Sequence, residues 1–327
     1  MTARSLLIGD IGGTNARFAL AEDGARGYSS EQILKCADYP SADAAIRHYL
    51  DGVGAPEPAA ICLAAAGPVS NQTVKFTNNN WTIVVSDLQQ VFDIESVRLL
   101  NDFEAIAYCI PLLDADQFKP IGLPESHSLD GETATFGVVG PGTGLGAASL
   151  QKIGGGFFAN ATEAGHAGFA PETQLQMDIL TQLRQRFDRV SAERLVSGPG
   201  IENIYWALCE IHSEKRAQLS AADIFSAALS DGDIRAMEAV ETFYEVLGQF
   251  AGDLALTLGA TAGVFVAGGV AQRYPDKLAN SRFRSSFEGK GRHRTFVERI
   301  PTALITHEQP GLLGAAYCVS GRGAVSV

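Results

Sequence analysis

The chain has 327 residues, with 37 Asp and Glu against 25 Lys and Arg for a net charge of −12. That length gives room for two domains, and an apolar share of 46% supplies their cores and excludes disorder on a large scale. The acidic balance, with no block of Lys and Arg, argues against nucleic acid as a partner, because such binding rests on basic side chains at phosphate.

Short apolar runs alternating with helical spacing mark the first half as α/β. Residues 5–9 and 16–21 read as strands on either side of a Gly12-Gly13 turn, 42–50 as a helix and 59–65 as a buried strand. A strand at 96–100 runs into Asn101-Asp102, and a helix follows from Phe103. A polar stretch with glycine and proline, 119–132, links this half to a strand at 133–139 and a second glycine turn. Apolar spacing then predicts helices over 175–187, after Pro199, after Ser220 with Asp223 completing a capping box, and over 234–258. A buried strand at 264–267 ends at Gly268-Gly269, and a strand at 303–306 precedes a last helix at 311–318.

The first apolar run, Leu6 to Ile8, is too short for a signal peptide, and the longest apolar stretch, Phe243 to Val270, is broken by Glu245, Gln249 and Asp253. Five scattered cysteines lack any C-x-x-C spacing, which suits a reducing compartment. The expected location is the cytoplasm, without a membrane partner.

One internal likeness carries the functional reading. Gly9-Asp10-Ile11-Gly12-Gly13-Thr14 leads into one strand, and Gly140-Pro141-Gly142-Thr143-Gly144 leads into another. A glycine turn between strands can aim successive backbone N–H groups at an anion, and two such hairpins could grip one polyphosphate from both sides. Either turn alone could equally be an ordinary β-hairpin. The second can also be read as Gly142-x-Gly144-x-x-Ala147, a loose dinucleotide fingerprint, but that mechanism needs a helix where 147–150 reads as a strand. Neither turn carries the G-K-[ST] ending of a Walker loop.

Asp10 sits beside the first turn, where a buried carboxylate needs a cation or a turn-capping role; a magnesium ion arriving with nucleotide, held through water, would supply the cation. Asp102 stands at a strand end, where ligands gather in α/β sheets, though a helix cap is the simpler reading of it alone. Glu163-x-x-His166 has the spacing of a helical metal pair, but Gly165 and Pro171 disfavour a helix and no second copy exists, so a hydrogen-bonding role toward neutral sugar hydroxyls in an uncharged pocket suits the pair better. Glu193 reads most simply as a first-turn carboxylate.

The ordered series of motifs resembles the bacterial glucokinases of the hexokinase and actin-like ATPase superfamily over nearly the whole chain. It comprises Gly9 to Arg17, Thr77-Asn78 before Trp81, Asn101-Asp102-Phe103, Gly140 to Gly146, and Glu163-x-Gly165-His166. Ser191-x-Glu193-Arg194, Ser197 to Gly200, Val264 to Gly269 and His307-x-x-Pro310-Gly311 complete it. The resemblance implies a two-domain actin-like ATPase fold, related to ribonuclease H, with an interdomain cleft. Its small domain would be 1–110 with about 308–327, and its large domain 111–307. It further implies ATP-dependent phosphorylation of glucose at the 6-hydroxyl, with Asp102 as general base. Asn78, Asn101, Asp102, Glu163, His166 and Glu193 would hold glucose. Gly9 to Thr14 and Gly142, Thr143 and Gly144 would embrace the ATP phosphates, with Gly268 and Gly269 beside the adenosine. A homodimer is the family expectation. This chain departs from the family pattern at Gly168, where members often carry Asp. A sugar-sensing regulator on the same fold is the alternative, but such a regulator is expected to carry a helix-turn-helix, for which the few residues before the first strand leave no room.

Overall fold

The computed structural model describes residues 5–22, 27–55, 57–76, 79–124, 129 and 131–320. Its strands are β1 (Ser5–Ile11), β2 (Asn15–Glu22), β3 (Tyr28–Lys35), β4 (Ala60–Ala65), β5 (Thr73–Lys75), β6 (Thr82–Val84) and β7 (Ser96–Asn101). The second half adds β8 (Phe118–Pro120), β9 (Thr133–Pro141), β10 (Leu145–Ile153), β11 (Gly156–Thr162), β12 (Gly263–Val266) and β13 (Thr302–Ile305).

Two sheets carry the fold, with orders β3-β2-β1-β4-β7 and β11-β10-β9-β12-β13-β8. In each, three strands form an antiparallel meander and two more add in parallel, β4 and β7 in the first, β12 and β13 in the second. The hairpins β1–β2 and β9–β10 therefore occupy equivalent places, which is the structural form of the likeness between the two glycine turns. The interior strand β4 is buried throughout, as expected of a parallel strand covered on both faces. The small sheet β5–β6 stands apart.

The helices join the sheets crosswise. Asp102–Cys109 leaves β7 of the first sheet yet packs on β9, β10 and β11 of the second, while Pro310–Val319 leaves β13 and packs on β1 and β4. Where the two helices cross, a Cβ on Gly314 would stand 1.7 Å from the Ala105 carbonyl oxygen, so only glycine permits the approach. The apolar cluster around this crossing unites Ile8 and Ala64 with Tyr108, Phe136, Phe265 and Leu312, tying both sheets into one core. A second cluster backs the first sheet with the helices Ala42–Val53 and Val85–Phe92, and a third surrounds the 25-residue helix Ile234–Leu258.

The strand and helix expectations in the first half hold to within a few residues. Three differences have local causes. The linker expected at 119–132 overlaps β8, a three-residue strand too short to show alternation, which pairs with the edge of β13. The helix expected to reach residue 187 is Gln174–Leu183, because its last turn tightens to bonds such as Gln185 N–H to Gln182 O. Ser220 does cap the helix Ala221–Ser226, but its hydroxyl donates to the Asp223 carboxylate at 2.7 Å, so the box is only half formed. All five cysteines are free and buried. Among the described residues no helix is long and apolar enough to cross a membrane.

Candidate functional site

A cavity of about 770 Å³ is lined by both glycine turns, by the ends of β4 and β7, and by the segment that carries Glu163 and His166. Residues 147–150 lie within β10, antiparallel to β9, so no helix opens after Gly142-x-Gly144 and the dinucleotide reading fails on geometry. From the first turn Asp10, Gly13 and Thr14 reach the cavity; from the second, Gly142, Thr143 and Gly144 do, and Gly268 joins them. Gly9 packs against Leu63 and Phe18, and Ile11 is buried in the strand, so both shape the turn from behind. Gly12 closes the turn by donating its N–H to Asn15 O at 2.9 Å. Gly268 has φ +90°, and a Cβ there would meet Pro141 O at 2.7 Å; Gly269 begins the short helix Gly269–Arg273. Asn78 lies outside the described residues.

Asn101 and Asp102 divide two roles that the sequence left open. The helix cap is Asn101, whose Oδ1 accepts from the N–H groups of Phe103 and Glu104 while the Glu104 carboxylate accepts from the Asn101 N–H. Asn101 Nδ2 donates to Gly67 O at 3.1 Å, which ties the end of β7 to the turn after β4. The capping reading of Asp102 is thereby corrected: Asp102 is the first residue inside the helix, and its carboxylate lines the cavity. Burial pushes its pKa up to about 6, the Phe103 N–H opposes this, and the negative charges of Asp10 and Glu163 add to the rise. Asp10 is also raised by burial, against the pull of Arg17 across the hairpin.

Phe103 positions this helix. A Cβ on Gly146 would stand 1.9 Å from the Phe103 ring and one on Gly140 2.8 Å from it, so the ring sits on bare backbone of β9 and β10. The motif Asn101-Asp102-Phe103 does not mark this aromatic key as structural; its one signal in the sequence is its place between a strand end and a glycine-rich hairpin. Gly67, with φ +147°, and Phe76 also line the cavity and were missed. The Gly67-Pro68 pair at the end of a fully apolar strand could have marked them.

Glu163, His166 and Glu193 converge on the cavity, a grouping that the family resemblance implied and that their spacing alone did not. Gly165 lies in a 3-10 turn, Ala164–His166, rather than an α-helix. His166 Nε2 is 3.9 Å from Glu163 and its Nδ1 is 3.9 Å from Glu193 Oε1. Glu193 Oε2 accepts from Leu145 N–H at 2.9 Å, next to the second glycine turn, in space left open because Gly144 has no side chain. Arg189 donates to His166 O at 2.6 Å and lies beside Gly168, so this segment is braced at the glycine. Among the described residues no group of three or more His, Cys, Asp or Glu forms a metal cage.

The glucokinase family model matches residues 7–322. A glucokinase of Nitrobacter hamburgensis is 42% identical over 311 residues, 95% of either chain, and one of Zymomonas mobilis is 42% identical over 317 residues, 96% of this chain and 97% of that one. The solved glucokinase of an Antarctic psychrotroph aligns with a TM-score of 0.87 at 36% identity, covering 96% of this chain and 98% of that one. A ROK family glucokinase from Streptomyces griseus in complex with glucose and AMPPNP shares the fold at TM-score 0.62 and 21% identity, over 96% of this chain and 99% of that one. With the doubled sheet, the paired turns and relatives that match end to end, the chain belongs to the glucokinase family, the enzymes that phosphorylate glucose at the expense of ATP.

Proposed function

We propose that phosphoryl transfer from ATP to the 6-hydroxyl of glucose runs across this cavity, with Asp102 accepting the hydroxyl proton. The observation that carries the role is Asp102 at the start of the helix Asp102–Cys109, in a cavity shared with both glycine turns and with a pKa of about 6. A base of that strength is ionised at neutral pH yet close enough to it to share a proton in the transition state. Because a phosphoryl transition state is loose, positioning and electrostatics supply most of the rate. Glucose would lie against Asn101, Asp102, Glu163, His166 and Glu193, with Asn78 nearby. Of the Asn101 side chain, the amide oxygen is committed to the cap and Nδ2 to Gly67 O, so its sugar contact would come from the remaining Nδ2 hydrogen. The S. griseus relative holds glucose together with an ATP analogue, the same ligand pair as assigned to this cavity.

The ATP phosphates would sit between Gly12-Gly13-Thr14 and Gly142-Thr143-Gly144, with the adenosine toward Gly268-Gly269. Among the described lining residues there are four carboxylates, Asp10, Asp102, Glu163 and Glu193, and no Lys or Arg. Such a cavity attracts a polyphosphate only if backbone N–H groups are joined by a divalent cation, so the donor set fits magnesium bound with the nucleotide near Asp10. When bound, the ion neutralises phosphate charge as it is redistributed during transfer.

The division into a small domain, 1–110 with about 308–327, and a large one, 111–307, belongs to the same reading. The crossed helices give the two sheets a common pivot, so closure over glucose would draw the two turns together and exclude water, the competing acceptor. A cytoplasmic homodimer completes the proposal; sedimentation of the purified chain tests the dimer. The catalytic role is tested by Asp102→Ala, which should lose roughly 10²–10⁴ in kcat while glucose still binds. Near wild-type turnover in the folded variant would remove Asp102 from the mechanism.

A further inference from the structure

Behind the first glycine turn lies a set of contacts that catalysis as described does not use. The Asn79 side chain donates from Nδ2 toward two successive carbonyls, Gly12 O and Gly13 O, both at 3.4 Å. Its orientation is set independently, since Asn79 Oδ1 accepts from Trp81 N–H at 2.8 Å. Trp81 is itself held, 3% exposed, with its indole N–H donating to Tyr39 O at 3.0 Å. Cys36 adds a second brace: its N–H donates to Thr14 O at 2.9 Å and its thiol approaches Gly12 O at 3.7 Å. The carbonyls of the turn are thus gripped from outside the cavity.

In a trans peptide the C=O and the following N–H point in opposite directions. Gly12 O shares its peptide plane with Gly13 N–H, and Gly13 O shares its plane with Thr14 N–H. Fixing those two oxygens toward Asn79 turns those two N–H groups the other way, toward the cavity that Gly13 and Thr14 line. Without the grip, a diglycine turn can rotate its peptide planes at little cost and would lose entropy each time phosphate ordered it.

We propose that Asn79 is a positioning residue for ATP: by holding the Gly12 and Gly13 carbonyls it keeps the Gly13 and Thr14 N–H groups aimed at phosphate before the nucleotide arrives. This rests on the reading that the first turn binds ATP phosphate, and the test separates the two.

The test uses 15N-labelled full-length chain with Mg-AMPPNP as probe, alongside steady-state kinetics. Asn79→Asp keeps the acceptor for Trp81 N–H but loses the donors, and Asn79→Ala loses the donors without adding charge. In the wild type the Gly13 and Thr14 amide signals should shift on adding the probe. In both variants the KM for ATP should rise about tenfold, the effect of losing modest hydrogen bonds, with the KM for glucose within about twofold. Unchanged KM for ATP in both folded variants overturns the proposal and leaves the ATP reading intact. A loss seen only in Asn79→Asp would mark a field effect of the new charge and also overturns it, as does an equal loss for ATP and glucose. If the wild-type Gly13 and Thr14 amides ignore the probe, the first turn is no phosphate site and the proposal falls with that reading.

Discussion

Asp102 sits on the first position of a helix whose cap is supplied by its neighbour, and with its Oδ1 accepting from the Phe103 N–H at 2.9 Å its Oδ2 is left for chemistry. Its folded pKa of about 6 lies above the ordinary carboxylate value, so ionisation costs the native state more than the unfolded one. That penalty is fully present above pH 6 and fades as pH falls through the folded pKa toward about 4. Two results should follow. The kcat/KM of the wild type, which reports the free enzyme, should fall on the acid side of about pH 6, and Asp102→Asn should melt higher than wild type at pH 7 to 8, with the difference shrinking near pH 4. A pH-rate profile paired with thermal melts checks both; a flat profile down to pH 5 would contradict the assigned base. Glu193 is the other residue worth isolating, because one oxygen holds Leu145 N–H while the other faces His166. If Glu193 also binds the anomeric hydroxyl, Glu193→Gln should weaken glucose by roughly ten- to a hundredfold, the size of a hydrogen bond to a charged group. The same variant should weaken 1-deoxyglucose much less. The cycle of kcat/KM values over both sugars and both enzymes isolates the contact, and a coupling near zero would return Glu193 to bracing the second turn.

At the scale of elements, the hairpin β9–β10 combines two kinds of glycine. Gly146 and Gly140 are pressed by the Phe103 ring, whereas an added Cβ at Gly142 would have nothing within 4 Å. Substitution at Gly142 is therefore accommodated by the fold, and Gly142→Val fills only space in the cavity. It should weaken ATP at least tenfold, the equivalent of about 1.4 kcal/mol, and leave glucose nearly unchanged, as calorimetry with each ligand can read. Equal ATP affinity in the folded variant would reduce the second turn to an ordinary hairpin. The strands and helices themselves were largely legible, because β4 is a continuous apolar run and the helix Ile234–Leu258 keeps its spacing for 25 residues. β3 was not, since its burial pattern is mostly exposed and it is ordered by pairing with β2 at the sheet edge.

For the whole molecule, two sheets that share one five-strand arrangement, the second extended by β8, are pinned by two helices that cross at Gly314. The proposed closure over glucose would be a rotation about this crossing. Saturating glucose should then reduce the radius of gyration in small-angle scattering relative to a sugar that does not bind. Superimposable curves would argue for a rigid, preformed site.

Local pattern determined much of this protein. Apolar periodicity specified α/β elements, and glycine turns between strands pointed to phosphate, because both properties depend on residues close together in the chain. What only tertiary structure decided depends on contacts between distant segments. Asn101 rather than Asp102 caps the helix, because β7 enters it with the Asn101 amide against Gly67 of another strand end. Phe103 keys onto Gly140 and Gly146 because its helix crosses to the other sheet. Asn79 grips a turn 67 residues away in sequence, and Glu193 reaches Leu145 across 48. Such pairings leave no periodic trace in sequence, since side-chain spacing reports which face a residue shares within its own element and not which distant backbone folding brings against it.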